Sequence, residues 1–134
     1  MANALYDKGR EAFLSGAINF SSDTIKMVLV KNTYTPSLST HQYFSDLGAN
    51  TIGTPQTLGG KSVTAGVANC SNVTFSAVTT GSTVTYIAVY KDTGTPTTAP
   101  LICLIDTAVG VPLATNGGDI IIAIDTGANK LFKL

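Results

Sequence analysis

Thr83-Val-Thr-Tyr-Ile-Ala-Val-Tyr-Lys91 and, one loop later, Leu101-Ile-Cys-Leu-Ile105 decide the fold class. The first stretch alternates, Val84 and Tyr86 against Thr83 and Thr85, then turns apolar on both faces from Ile87 to Tyr90. Alternation marks a strand with one wet face, and a short unbroken apolar run marks a strand covered on both. Leu101–Ile105 and Ile120–Ile124 are runs of the second kind and are expected as central strands.

Outward from this pair the chain reads as strand and turn. Thr24–Val30 sets Ile25, Met27 and Leu29 on one face and Val28 and Val30 on the other. Ser62–Asn69 alternates Val63, Ala65 and Val67 against Ser62, Thr64 and Gly66, and Asn72–Thr79 repeats the pattern with Val73, Phe75 and Ala77. Asn116-Gly117-Gly118 marks a tight reversal, and Lys130–Leu134 reads as a last short strand. Short strands separated by Gly, Pro, Asn and Thr clusters predict a compact antiparallel β-sandwich or barrel, mainly β, in a single domain over residues 1–134.

One helix is expected, over residues 4–15. Leu5, Gly9, Ala12 and Phe13 form a stripe at helical period, Asn3 suits the N-cap, and Gly16 suits a left-handed close. So short a helix must dock its stripe, on its own sheet or on a partner. Residues 31–61, rich in Asn, Thr, Pro, Ser and Gly, read as the longest irregular stretch, with a short helix or turn near Thr40–Leu47. Long loops in compact domains are usually contact elements. Tyr34, Tyr43 and Phe44 there are therefore candidate interface anchors, with Leu5 and Phe13 of the helix stripe beside them. The competing role is to pin the loop onto its own core.

Only 12% of residues are charged and the formal net charge is zero. The eight basic residues are scattered singly, without the cluster that phosphate binding needs, so no nucleic-acid contact is expected. A neutral, hydroxyl-rich surface favours association, and a homo-oligomer, dimer or trimer, is expected. Met1-Ala-Asn-Ala-Leu-Tyr-Asp-Lys lacks the apolar core of a secretory leader, and no run approaches the ~20 apolar residues of a membrane span. Cys70 and Cys103 read as small buried apolar residues rather than a disulfide.

Catalytic inventories fail one by one. Asp92-Thr93-Gly94 and Asp125-Thr126-Gly127 both match the local motif of aspartic proteases, whose chemistry needs two carboxylates sharing a proton. Seven residues follow Gly127, too few for the rest of such a subunit, and Val89-Tyr90-Lys91 before Asp92 puts a charge where that loop wants apolar side chains. Asp-Thr recurs at Asp92, Asp106 and Asp125, each after a strand, which is expected turn chemistry. The one histidine, His41, excludes metal sites built on histidine pairs, and its polar loop gives it a surface or interface role. Gly59-Gly60-Lys61-Ser62 lacks the upstream glycine of a phosphate loop and is read as a turn. No enzyme, cofactor or metal is expected.

Met1-Ala-Asn-Ala-Leu-Tyr-Asp-Lys-Gly-Arg-Glu-Ala-Phe-Leu14 and Asp23-Thr-Ile-Lys-Met-Val-Leu-Val30 resemble the opening of a family of small tailed-phage and prophage structural proteins. Val73-Thr-Phe-Ser-Ala-Val78, Tyr90-Lys-Asp-Thr-Gly-Thr95, Ile105-Asp-Thr-Ala108, Asn116-Gly-Gly-Asp119 and Gly127-Ala-Asn-Lys-Leu-Phe-Lys-Leu134 resemble the rest of that pattern. The resemblance implies a virion part made in the bacterial host cytoplasm, a capsid cement or decoration protein on the capsid surface with the major capsid protein as partner. It supplies no catalytic residue. A neck, tail or fibre-base protein is the alternative within the virion, and a carbohydrate- or receptor-binding β module the alternative outside it.

Overall fold

A computed structural model describes residues 4–106, 110–128 and 130–134. The chain is mainly β, and among the described residues every strand pair is antiparallel, in a sandwich-like arrangement rather than a closed barrel. The main sheet contains β1 (Ala4–Leu5), β2 (Ile25–Lys31), β3 (Thr51–Thr57), β7 (Thr83–Lys91) and β8 (Leu101–Ile105), in the order β1-β8-β7-β2-β3. A short strand β9 (Leu113–Ala114) also pairs with β7. Two smaller sheets form the second layer. One is β4 (Ser62–Thr64), β5 (Val67–Asn69) and β11 (Phe132–Lys133), and the other is β6 (Val73–Phe75) with β10 (Ile120–Ile122).

Register explains why both faces of the main sheet are apolar. Met27 opposes Val89, Leu29 opposes Ile87, Val89 opposes Cys103 and Ile87 opposes Ile105. All of these face the larger core, against Phe75, Ile120, Ile122, Leu131 and Phe132 of the second layer. The alternate row, Val28 opposite Ala88 and Ala88 opposite Leu104, faces the other way. That smaller core is covered by Tyr6, Tyr34, Leu47 and Ala99. The split of Ile25, Met27 and Leu29 from Val28 and Val30 follows the sequence period.

Helix α1 covers Asp7–Leu14, shorter than the expected 4–15. Ala4 and Leu5 are strand instead, paired with Leu104 and Cys103. Leu5 leaves the helix stripe because the open edge of β8 offers its backbone ladder bonds. The expected cap Asn3 lies outside the described residues; the helix starts from extended Tyr6, whose side chain makes no capping bond. At the other end Gly16, at φ 81°, closes a Schellman turn with Gly16 N–H donating to Phe13 O and Ala17 N–H to Ala12 O. Gly9 packs directly on β8: a Cβ there would lie 2.6 Å from Leu101 O and 2.9 Å from Ile102 O.

Three further expectations change. The irregular stretch 31–61 contains a real strand, β3, preceded by a 3-10 helix at Phe44–Asn50. A register shift against β2, Gly53 at φ 69° and Pro55 break its period, as befits an exposed sheet edge. Ser62–Asn69 is not one strand but the hairpin β4–β5, turned at Ala65 and Gly66 with φ 53° and 78°. That turn places an alanine where asparagine or glycine is the usual signal. Ile120–Ile124 is not a central strand: β10 ends at Ile122 in a two-stranded ribbon, and Ile121 is 62% exposed. An apolar run alone does not tell a central strand from a one-sided one. Lys130–Leu134 does contain a strand, β11, paired with β5.

Candidate interaction surface

Helix α1 and its closing turn divide two grooves. The first, about 370 Å³, is apolar. Its roof is the β4–β5–β11 sheet, in which Val63 opposes Ala68 and Ala68 opposes Phe132, so the three share a face. Its floor is Phe13, Ile18 and Phe20. The Phe132 ring lies tilted to Phe13, centroids 6.0 Å apart, and edge-on to Phe20, centroids 5.6 Å apart, so three packed rings line the groove. The outer end is open: Val63 is 53% and Leu134 60% exposed at its rim.

The second groove, about 500 Å³, is polar. Lys8, Glu11 and Ser15 of the helix side face Gln42, Tyr43, Thr93 and Thr98. Its groups are already engaged with one another. Lys8 pairs with Glu11 at 3.1 Å, Gln42 Nε2 donates to Tyr43 Oη at 3.1 Å, and the Thr93 and Thr98 hydroxyls share a 2.7 Å bond. Lys91 Nζ donates to Ala17 O and pairs with Asp23 at 3.1 Å, tying β7 to the turn after the helix.

The five anchors anticipated from sequence separate on this surface. Phe13 lines the apolar groove and Tyr43 the polar one. Phe44 is half-buried against Tyr90, ring centroids 4.5 Å apart. Leu5, at 5% exposure, is a core residue of β1, and Tyr34, at 4%, is a core residue of the smaller face. Both are buried within their own chain, Leu5 in a paired strand and Tyr34 in a hydrogen bond to Tyr6. The pinning role therefore describes Tyr34. Sequence reasoning missed Val63 and Leu134 as rim residues. Val63 reads as an inward strand position, and only the turn at Ala65–Gly66 folds it out over the groove.

The catalytic-looking motifs are turns. Asp92 Oδ1 accepts from Gly94 N–H and Asp125 Oδ1 from Gly127 N–H, both at 3.0 Å. Asn116 Oδ1 does the same for Gly118 N–H. Asp92 also pairs with Lys26 at 2.9 Å. Lys61 of the glycine-rich Gly59–Ser62 stretch reaches Asp23 O and lies near the Phe20 ring, a structural anchor. Cys70 and Cys103 are unpaired and buried; burial pushes the Cys70 thiol up to about 11 and the Cys103 thiol higher still, leaving both protonated near neutrality. Among the described residues no group of three or more His, Cys, Asp and Glu side chains is placed to hold a metal ion. No helix among them is long and apolar enough to cross a membrane. Neither a protein-family model nor a curated protein matches this chain.

Proposed function

We propose that this chain is a capsid cement or decoration protein of a tailed phage, made in the bacterial host cytoplasm and bound to the major capsid protein on the outside of the head shell. The observation that carries the reading is the apolar groove under β4–β5–β11, open at Val63 and Leu134 on an otherwise charge-poor surface. A groove of this kind takes an apolar segment of a neighbour, while the neutral, hydroxyl-rich flanks let copies sit close together without repulsion. The resemblance of both chain ends to small tailed-phage structural proteins supports the same role. A cement protein binds the assembled lattice in preference to free subunits, so it stabilises the shell by mass action, and many modest contacts sum over the lattice. Association of the copies as a dimer or trimer belongs to this proposal.

A neck, tail or fibre-base position uses the same surface and differs in copy number. A carbohydrate-binding role would rest on the polar groove with Tyr43; its hydroxyls and amide are already bonded to each other, which favours the cement reading.

The test is rebinding to particles assembled without this chain. Val63→Asp combined with Leu134→Asp places charge at the groove mouth without touching the buried core. Shell binding should fall by at least about two orders of magnitude, because even one buried unpaired charge costs about 3 kcal/mol or more. Circular dichroism should be unchanged. Undiminished binding by the folded double variant would remove the groove from the proposal.

A further inference from the structure

Residues 32–50 cover the smaller core face of the main sheet. Asp7 N–H donates to Leu38 O, Leu101 N–H to Gln42 O and Phe44 N–H to Ala99 O, each at 2.8 Å, and longer bonds run from Ser45 N–H to Pro96 O at 3.1 Å and from Asn32 N–H to Thr83 O at 3.3 Å. Beneath this cover runs a chain of side-chain hydrogen bonds. The Tyr6 and Tyr34 hydroxyls lie 2.9 Å apart, and the Tyr34 hydroxyl lies 2.7 Å from His41 Nδ1. Tyr6 is fully buried, Tyr34 is 4% exposed, and His41 is only half-buried. The chain therefore leads from the core to solvent through a titratable ring.

Its direction is fixed by counting protons. With neutral imidazole carrying hydrogen on Nε2, Nδ1 accepts from Tyr34 and Tyr34 accepts from Tyr6. Every hydroxyl hydrogen then has an acceptor. Protonation places the added hydrogen on Nδ1, whose lone pair was the terminal acceptor. If the ring stays, Nδ1–H donates to Tyr34, Tyr34 donates to Tyr6, and the Tyr6 hydroxyl hydrogen is stranded. Among the described residues Tyr34 is the hydrogen-bond partner found for that hydroxyl. If the ring swings out, Tyr34 loses its acceptor instead. In both cases a donor is left unsatisfied in the core, where water cannot replace the partner.

We propose that Tyr6, Tyr34 and His41 form a proton-sensitive latch that holds residues 32–50 over the sheet and releases them when His41 takes up a proton. Other groups around the chain do not supply the switch. Asp46 accepts from Gln42 N–H at 2.7 Å and Tyr43 N–H at 2.9 Å. The Tyr43 bond above all, then the Gln42 bond, hold its carboxyl below the ordinary range, and a protonated His41 would add to this, so it stays ionised in mild acid. Tyr86, edge-on to Tyr34 at 6.0 Å, is a phenol, and so are Tyr6 and Tyr34, which burial pushes upward. Cys103, near Tyr6, is likewise pushed up by burial. Asp46, Tyr6, Tyr34 and Cys103 thus keep one charge state across the range of about pH 5 to 8 in which histidine side chains generally change theirs.

Amide hydrogen exchange, corrected for the intrinsic rates, tests the latch on the full chain at about pH 8 and about pH 5. Protection of the Asp7, Phe44 and Leu101 amides should fall roughly tenfold or more at the lower pH, while β2 and β7 amides keep theirs. In His41→Gln, which retains an acceptor that does not titrate, the cover should stay protected at both values. In Tyr34→Phe it should be weakly protected at both, because the Tyr6 hydroxyl has lost its acceptor at any pH. Equal protection of the wild-type cover at the two values would overturn the proposal. So would an acid response that persists in His41→Gln, or one in which β2 and β7 open together with the cover.

Discussion

Gly9 shows how a single residue sets the distance between two elements. A glycine inside a helix ordinarily costs about 1 kcal/mol relative to alanine, so its replacement on an open face stabilises. Here a Cβ would meet two backbone carbonyl oxygens of β8 at 2.6 and 2.9 Å, and backbone does not move aside as a flexible side chain does. Overpacking costs about 1–3 kcal/mol and outweighs the propensity gain. Gly9→Ala should therefore lower the urea midpoint, whereas a raised midpoint would mean that the helix stands off the sheet. The sequence places Gly9 on the docking stripe, but not the reason, because a helical period says which side faces inward and not how close. The Asp-Thr-Gly motifs were the opposite case. At Asp92 and Asp125 the carboxylate's first partner is the glycine amide two residues on, a relation that local sequence contains in full. The third recurrence, Asp106–Thr107, runs into residues outside the described ones.

At the scale of elements, β2 and β7 are clamped at one end by crossed ion pairs, Lys26–Asp92 and Lys91–Asp23. Backbone N–H bonds first, then the lysines, hold both carboxyls below their ordinary range. A carboxylate whose folded value is depressed stabilises the fold above its unfolded value, about pH 4, and that contribution is lost as pH falls through the folded value. The melting temperature should accordingly show an acid limb below about pH 4, reduced in Asp23→Asn combined with Asp92→Asn. An unchanged limb in that variant would assign the acid sensitivity to other carboxylates. Which strands were legible follows from their surroundings. β7 and β8 coincide with the stretches read from sequence, since a strand covered on both faces leaves an unbroken apolar run. β3 was hidden because an edge strand is defined by its one neighbour, and its bulge and Pro55 erase the period. The hairpin β4–β5 was hidden because Ala65, an unlikely residue for a left-handed turn, supplies no turn signal.

For the whole molecule, the two faces of the main sheet carry different responsibilities. The larger core binds the layers together and ends in the apolar groove, whereas the smaller core is closed by a cover held through Tyr6, Tyr34 and His41. The loop aromatics separate: Tyr34 serves the cover, Tyr43 lines the polar groove, and Phe44 leans on Tyr90. The groove mouth at Val63 and Leu134 was illegible because two segments far apart in sequence build it, and no local pattern announces their meeting. A cement protein spread over a phage head, as proposed, is defined by number as much as by contact. Quantitative mass spectrometry of gradient-purified particles measures it most directly, as copies of this chain per copy of the major capsid protein. The cement reading predicts a ratio near one or a simple fraction of it, and a handful of copies per particle, or none, would contradict it.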